Sequence, residues 1–287
     1  MKRIIYSFYI DIPKDELDIF DKNIIGKKGV PINFVTKDAF KEHYTKLVAC
    51  KELYAKEIGV PFKLFEYDSD FIIYKEKLQT EYPFLTTYNI VNFYKIHLLY
   101  KLSTEYDEIL YLDFDVVPMK TDNFFDNWNL SKGIAIQYNT HKVISMSEVT
   151  ERSQTIRSPT SKYYNAQAML IDRGLNPKHH VVNTGIIGAS KKYLQQLKYF
   201  NNFSADLAEM SKLTKGHDMF PKKITDFFGW DNETLFAVKL MENNVDVQWL
   251  DNKWHYFFSG QGYVPDNVVL CHAINKRFDI VWRKYDA

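Results

Sequence analysis

The sequence predicts an α/β fold with a mostly parallel central sheet flanked by helices. Short runs of β-branched and aromatic residues, such as Phe62–Tyr67 and Ile109–Leu112, alternate with longer segments whose apolar residues recur at helical spacing. This alternation is typical of parallel strands joined by crossover helices. No internal repeat or linker is evident in the 287 residues, so we predict one domain over residues 1–287 with an elaborated C-terminal half.

The first half of the chain opens with two predicted strands, Lys2–Ile10 and Pro31–Val35, both rich in β-branched and aromatic residues. Apolar residues at helical spacing then predict a helix over Asp38–Ile58, which the following Gly and Pro end. The remaining predicted elements of this half are the strand Phe62–Tyr67, the helix Asn89–Leu102 and the strand Ile109–Leu112.

The second half is predicted to continue the alternation. A helix should start from Ser190, which is a suitable N-cap residue. Residues 139–180 hold scattered Ser, Thr and Asn with two prolines, and we expect a long functional loop there. The other predicted elements are the strands Gly133–Tyr138, Val181–Ala189, Val245–Leu250 and Asn267–Cys271, and the helix Asp231–Met241.

Composition excludes several classes of protein. Hydrophobic residues make up 46% and charged residues 25%, which is ordinary for a globular domain, and the net charge of +1 argues against nucleic-acid or membrane-surface binding. Two cysteines form no disulfide framework, which favours a reducing compartment. The N-terminal apolar stretch is short and predicts a strand, not a signal peptide. No window has the ~18 uninterrupted apolar residues that a membrane-spanning helix needs. We therefore expect a cytoplasmic protein without a membrane span.

Two aspartates, Asp113 and Asp115, directly follow the apolar run Ile109–Leu112. Residues two apart on an extended chain point the same way, and ligands of parallel α/β sheets bind beyond the carboxyl ends of the strands. Two neighbouring carboxylates need a cation, a proton or a cationic side chain to compensate their repulsion, and Mg²⁺ or Mn²⁺ is the kind of cation that takes carboxylate oxygens. The simpler interpretation is a turn, which Asp favours, but the apolar residues on both sides weaken it.

The stretch FYKIHLLYKL…YDEILYLDFDVVP, residues 93–118, resembles nucleotide-sugar glycosyltransferases of GT-A fold, especially those similar to glycogenin and bacterial galactosyltransferases. In that family the D-x-D sequence binds a divalent metal on the donor's diphosphate. Later segments are similar to further family motifs in the same order: VVNTGIIG at 181–188, WDNETLF at 230–236 and VLCHAINKR at 269–277.

The resemblance covers most of the chain and implies one Rossmann-like GT-A domain. Its nucleotide-binding half would be residues 1–120, ending in the D-x-D sequence, and its acceptor-side half residues 121–287. At the end of the first strand, Tyr9 and Asp11 are candidates to stack on the donor's base and to bind its ribose.

The implied activity is transfer of a sugar from a nucleotide-sugar donor, a UDP-sugar in our prediction, to a hydroxyl of a glycan or other acceptor. The implied metal is Mn²⁺ or Mg²⁺, held by Asp113, Asp115 and His272. Lys95 would supply positive charge near the donor, and Lys276 would hold phosphate. The last motif departs from the family's pattern, because Asn replaces a Gly before this lysine and no Pro-Trp follows.

Two segments are implied to lie beside the donor sugar. Asn183 and Gly185 offer an amide and a closely approaching backbone. Asn232 and Glu233 stand where the family has Gln and Asp, so Asn232 would lie beneath the anomeric carbon of a retaining enzyme. The alternative is an inverting enzyme with Asp231 or Glu233 as general base.

Other interpretations remain open at this point. A haloacid-dehalogenase-type phosphatase also has D-x-D after an apolar strand, with Asp113 as nucleophile, but its motif normally opens the domain. A nucleotidyltransferase and a non-catalytic carbohydrate-binding protein are further alternatives. Individually, Asp231 is a suitable helix N-cap, Lys95 a plausible solvated helix residue and His272 a plausible rim histidine.

Overall fold

The computed structural model describes residues 1–13, 15, 16, 32–151, 158–226 and 228–286. Its strands are β1 (Arg3–Tyr9), β2 (Phe62–Glu66), β3 (Glu108–Leu112), β4 (Val116–Pro118), β5 (Ile134–Tyr138), β6 (Val182–Ser190), β7 (Val247–Trp249), β8 (Tyr256–Phe257) and β9 (Leu270–His272). Its helices are α1 (Ile32–Glu57), α2 (Ser69–Glu81), α3 (Thr87–Leu102), α4 (Phe124–Asn127), α5 (Met146–Glu151), α6 (Ser158–Asp172), α7 (Lys191–Leu197), α8 (Phe203–Leu213), α9 (Lys222–Thr225), α10 (Asn232–Glu242) and α11 (Phe278–Tyr285). Short 3₁₀ turns lie at Leu130–Lys132 and Thr140–Lys142.

The main sheet has the strand order β2-β1-β3-β6-β5-β7. Strand β1 runs parallel to β2 and β3, and β5 runs parallel to β7. Strand β6 is antiparallel to both of its neighbours, β3 and β5. The predicted α/β fold with a mostly parallel sheet is therefore confirmed, while its division into a single domain stays a prediction.

A smaller sheet joins distant parts of the chain in the order β4-β9-β8. Strand β9 pairs antiparallel with β4, so that Val116 lies opposite His272, and parallel with β8, so that Phe257 also lies opposite His272. This pairing carries the C-terminal part of the chain to the segment that follows β3.

Helices cover both faces of the main sheet. Alternate residues of β1 belong to different apolar clusters: Ile4 and Tyr6 pack with residues of α3 and α10, and Ile5 packs with residues of α1. Strand β3 alternates in the same way, with Ile109 on one face and Leu110 on the other. Burial on both faces explains why these strands read as continuous apolar runs.

Buried ion pairs fix α6, α8 and α10 to one another. The Arg173 guanidinium, just beyond α6, donates to Asp206 of α8 at 2.8 Å and to Glu242 of α10 at 3.1 Å. Lys239 of α10 lies 3.0 Å from the same Asp206 carboxylate, and both of these side chains are 2% exposed. Removing one partner of such a buried pair costs about 3 to 5 kcal/mol. The network therefore sets the positions of α6 and α10 relative to each other.

The predicted strand at Pro31–Val35 is wrong for residues 32–35, which form the first turn of α1, while Pro31 lies outside the described residues. The β-branched residues suggested a strand, but no Gly or Pro stands between Ile32 and Ile58 to stop the helix, and β-propensity yields to context. The other predicted strands and helices are confirmed, although α1 starts six residues before the predicted Asp38 and β9 starts three residues after the predicted Asn267. Ser190 is the N-cap of α7, although its hydroxyl makes no capping hydrogen bond.

The expected loop at residues 139–180 contains helices, so that prediction is also wrong in part. Helices α5 and α6 occupy much of this segment, with residues 152–157 outside the described part. Sequence periodicity missed α6 because polar residues fill its first turns. Across the described residues, every helix is too short or too polar to cross a bilayer.

Gly133 gives a test of how the sheet edge is assembled. Its φ is +150°, and an added Cβ would lie 2.6 Å from the Asp246 carbonyl oxygen, where the chain enters β7. We expect Gly133→Ala to lower the free energy of unfolding by about 2 to 3 kcal/mol, because both the backbone strain and the clash must be relieved.

Thermal unfolding checks this prediction, and a Tm loss of roughly 5 to 10 °C corresponds to that change in a chain of this size. Gly229→Ala is the matched control, since an added Cβ there has no atom within 4 Å. Equal melting of the two variants would contradict the close approach of Gly133 to Asp246.

Candidate active site

Two strand pairings bring the site together at the carboxyl end of β3. The β3–β6 pairing continues one step beyond β3, where the Asp113 amide donates to the Gly185 carbonyl at 2.7 Å. The β4–β9 pairing places His272 beside the segment that follows, and the Ala273 amide donates to the Asp115 carbonyl at 3.0 Å. The sheets thus join three segments that are far apart in sequence.

Asp113, Asp115 and His272 form a cluster whose ligand atoms all lie within 4.8 Å of one another. Nε2 of His272 is 3.3 Å from Oδ1 of Asp115 and 3.9 Å from Oδ2 of Asp113. The second oxygen of each carboxylate is bound elsewhere: Oδ1 of Asp113 accepts from Lys95 at 3.2 Å, and Oδ2 of Asp115 accepts from Lys276 at 2.5 Å. One oxygen from each aspartate therefore remains to face the imidazole.

This donor set fits a divalent cation. Two carboxylate oxygens and one imidazole nitrogen suit Mn²⁺, and Mg²⁺ prefers more oxygen ligands. The metal-ligand hypothesis for Asp113, Asp115 and His272 is thus compatible with the geometry, and this is the one such group found among the described residues.

Lys276 and His272 set the charge of Asp115, which is only 4% exposed. Burial alone would raise the pKa of this carboxyl, but the Lys276 ammonium and His272 outweigh burial and hold the pKa well below its usual range. Asp115 is therefore ionised at neutral pH. Lys276 reaches it from a backbone with φ of +55° in the turn after β9.

Gly185 is required by the close approach of His272. A Cβ on Gly185 would lie 2.7 Å from Nδ1 of His272 and 3.0 Å from Oδ1 of Asn183. The Asn183 side chain in turn accepts from the Gly185 amide at 3.0 Å. The group that approaches Gly185 closely is the imidazole of the candidate metal site, and the approach of this backbone to a donor sugar stays a prediction.

Thr184 connects Lys95 to the start of α10. Its hydroxyl lies 3.3 Å from the Lys95 ammonium and accepts from the Asn232 side-chain amide at 3.0 Å. The Thr184 amide and hydroxyl donate to Oε1 of Glu233 at 2.8 and 3.2 Å. A continuous chain of polar contacts therefore runs from Asp113 through Lys95 and Thr184 to Asn232 and Glu233.

Asp231 is the N-cap of α10, as the simpler interpretation of the sequence predicted. Its Oδ1 accepts from the Glu233 amide at 2.6 Å and from the Thr234 amide at 3.1 Å. Its Oδ2 lies 3.3 Å from the ammonium of Lys162, which belongs to α6. Capping fixes the first turn of α10, and with it the direction of the Asn232 and Glu233 side chains.

Lys162 also binds Oε2 of Glu233. Burial would raise the pKa of Glu233, but Lys162 reverses this effect and lowers the pKa below its usual value. Burial likewise opposes charge on Lys162, yet Asp231 and Glu233 raise its pKa. The three side chains form a compensated ionic cluster in which both oxygens of Glu233 are engaged.

Tyr9 is the last residue of β1, and Asp11 follows two residues later. The Tyr9 ring stacks on Phe114, the residue between the two aspartates, with centroids 4.7 Å apart. Burial, then the Asp11 carboxylate, raises the pKa of Tyr9 to about 12. Asp11 pairs with Lys37 of α1. The structure thus places both candidates near the D-x-D segment, and their roles toward a base or ribose stay predictions.

Several residues of the site have no counterpart in our sequence-based hypotheses. Tyr111 donates to Oδ1 of Asp113, and the buried Lys51 ammonium donates to the Phe114 carbonyl at 2.8 Å. Thr184 stands within a segment that the sequence did single out, between two candidate residues. No local pattern identifies Lys51 and Lys162.

No family model matches the sequence, and no curated protein matches it. Solved structures similar to the chain include the apo form of mouse xyloside xylosyltransferase 1, with 14% identity, a TM-score of 0.42, and 74% of this chain and 76% of that chain covered. The galactosyltransferase LgtC, in complex with donor and acceptor sugar analogs, has 11% identity and a TM-score of 0.43, with 94% and 86% covered.

A glycosyltransferase involved in glycosylating the major capsid of PBCV-1 has 12% identity and a TM-score of 0.46, with 98% of this chain and 100% of that chain covered. These structural neighbours are glycosyltransferases, the class that the sequence motifs resemble. Identities this low and TM-scores below 0.5 assign no family. The function proposed below therefore stands on the geometry of the site.

Lys162→Met tests the ionic cluster at the start of α10. The variant leaves the buried Glu233 carboxylate without its cation, so we expect the free energy of unfolding at pH 7 to fall by about 3 kcal/mol. The pKa of Glu233 is lowered in the folded protein, so its stabilising contribution is complete above the ordinary carboxyl pKa and is lost as the pH falls through the lowered value.

Calorimetry between pH 7 and pH 3 checks this, and the Tm difference between wild type and Lys162→Met should shrink as the pH falls below about 4. Lys212→Met is the control, because that side chain is 76% exposed and its ammonium forms only a weak surface pair, 3.8 Å from the Asp172 carboxylate. A Tm difference that stays constant with pH would mean that Lys162 acts through packing alone.

Proposed function

We propose that this chain is a metal-dependent glycosyltransferase of GT-A fold. It would transfer a sugar from a nucleoside-diphosphate donor, with a UDP-sugar as first choice, to a hydroxyl group of a glycan or other acceptor. The observation that carries this proposal is the convergence of Asp113, Asp115 and His272 where β3 ends, with Lys95 and Lys276 bound to the two carboxylates.

The charges around this cluster suit a sugar-nucleotide diphosphate. Asp113, Asp115 and His272 would hold Mn²⁺ or Mg²⁺, which when bound supplies Lewis-acid stabilisation to diphosphate oxygens. Transfer breaks the bond between the anomeric carbon and the diphosphate oxygen, so negative charge grows on the leaving group. Lys276 is a cation of the same site that can interact with that charge, because its side chain is 18% exposed.

The environment of α10 supports retention of anomeric configuration. An inverting enzyme needs a carboxylate free to accept the acceptor's proton. Asp231 is engaged in capping and Glu233 binds Thr184 and Lys162, and the lowered pKa of Glu233 makes it a weak base. Asn232 donates its side-chain amide to the Thr184 hydroxyl at 3.0 Å in this cluster, and its uncharged amide oxygen would lie beside the donor sugar.

The same electrostatics weigh against a phosphatase of the haloacid-dehalogenase type. That mechanism needs Asp115 as a general acid, which must carry a proton. Lys276 and His272 instead keep the pKa of Asp115 well below its usual range. Asp113, the nucleophile in that scheme, also has one oxygen bound by both Lys95 and Tyr111.

A ligand-binding experiment tests the transferase proposal directly. We expect UDP with Mn²⁺ to raise the Tm of the wild-type chain and EDTA to remove the effect, because diphosphate binding requires the cation. Ligand at 100 times its Kd stabilises a protein by about 2.7 kcal/mol, which is a measurable shift. Nucleoside diphosphates and UDP-sugars in the same thermal-shift series then identify the donor.

Asp113→Asn should abolish this stabilisation and sugar transfer, while its shape keeps the fold intact. Asp122→Asn is the matched control, since Asp122 forms a surface pair with Lys253 and should keep full response. If UDP binding were unchanged by EDTA and by Asp113→Asn, the metal-dependent site would be ruled out. If the wild type hydrolysed p-nitrophenyl phosphate and Asp113→Asn did not, the phosphatase would be favoured.

Product stereochemistry tests the assignment of α10. We expect NMR of the transferred sugar to show the donor's anomeric configuration in the product. Asn232→Ala should reduce kcat by roughly 10²-fold or more, in line with loss of a group that stabilises charge in the transition state. Inverted product, with full activity in Asn232→Ala and none in Glu233→Ala, would assign Glu233 as general base.

A further inference from the structure

His255 lies directly behind the imidazole of the candidate metal ligand His272. It precedes β8, whose parallel pairing with β9 brings the two histidines together. Its Nε2 is 2.9 Å from Nδ1 of His272, and its side chain is fully buried at 0% exposure. The remaining nitrogen, Nδ1 of His255, has no hydrogen-bond partner among the described residues.

The contact restricts how His272 can use its two nitrogens. Its Nε2 faces the carboxylates of Asp113 and Asp115, so a lone pair must be on Nε2 when a cation is bound there. The ring proton is then on Nδ1, and His255 is the acceptor in contact with that nitrogen. A neutral imidazole can accept at Nε2 only with its own proton on Nδ1.

We propose that His255 is a positioning residue for the metal site: it accepts the Nδ1 proton of His272 and holds the Nε2 lone pair toward Asp113 and Asp115. This inference rests on the metal-dependent site of the proposed function. Partners of this kind behind a ligating histidine fix both the orientation and the tautomer of the ring.

A packing role alone does not explain a histidine at this position. The ring lies 4.6 Å from that of Phe257, in surroundings where an apolar residue would pack without an unpaired nitrogen. An unsatisfied buried polar atom costs about 1 to 3 kcal/mol, so the chain bears a penalty at Nδ1 of His255. The hydrogen bond to His272 is the interaction gained in return.

Mn²⁺ binding, measured by the EPR signal of the free ion, tests this without any assay of activity. We expect His255→Phe to weaken Mn²⁺ affinity by about 10- to 100-fold, the usual effect of removing a partner of a metal ligand. His255→Gln should retain affinity within about threefold, because the amide oxygen can still accept from Nδ1 of His272.

His179→Phe is the matched control. His179 is also buried, at 6% exposure, but it stacks on Tyr163 and contacts the Pro177 carbonyl. The His179→Phe variant should bind Mn²⁺ with the affinity of the wild type. If a folded His255→Phe variant bound Mn²⁺ with wild-type affinity while Asp113→Asn did not bind it, the positioning role would be overturned. The metal site itself would then be retained.

Absence of Mn²⁺ binding in wild type itself would overturn the metal site and this inference together. If His255→Phe fails to fold, ¹⁵N NMR of histidine-labelled wild type decides the question. In the Mg²⁺-loaded protein we expect an unprotonated Nε2 on His255 that accepts the Nδ1 proton of His272, and a proton on Nε2 of His255 would overturn the proposal.

Discussion

The candidate site depends on the compensation of two like charges at one end of a strand, Asp115 buried and Asp113 partly exposed. Strand β3 ends at Leu112, and a turn closed by the Val116 amide donating to the Asp113 carbonyl at 2.9 Å brings Asp113 and Asp115 together. The extended chain expected from the sequence is therefore wrong at these residues, and the repulsion of the two carboxylates must be balanced locally. Lys95 binds one carboxylate and Lys276 the other, and His272 lies between them. The elements that supply these partners, α3, β9 and the turn after β9, are therefore fixed relative to β3 by charge as well as by packing.

A second compensated cluster lies at the start of α10, and the two clusters share a path of polar contacts. Lys162 pairs with both Asp231 and Glu233 there, while Thr184 binds both Glu233 and Lys95. One side chain of β6, that of Thr184, thus contacts groups of both clusters. The antiparallel direction of β6 makes this possible, because its N-terminal end lies at the carboxyl ends of its neighbours.

The sequence predicts the parts of this arrangement that are local. An apolar run predicts β3 and places the aspartates at its end, and the resemblance points to His272 and to Gly185. Lys162 was not predictable, because its partner Glu233 is 71 residues away and polar residues hide the periodicity of α6. His255 was not predictable either, since only the pairing of β8 with β9 brings it to His272.

Phe114, the residue between the two aspartates, is held by ring packing and by a hydrogen bond to its carbonyl. The Phe114 ring packs on Tyr9 and Tyr44, with centroids 4.7 and 5.6 Å away, and its carbonyl accepts from the buried Lys51 ammonium. These contacts set the backbone that carries both carboxylates, so the site is preorganised for a cation. Lys276 lies outside this support, in a turn at the edge of the site, and its side chain is 18% exposed against 6% for that of Lys95, so it is the more accessible of the two cations.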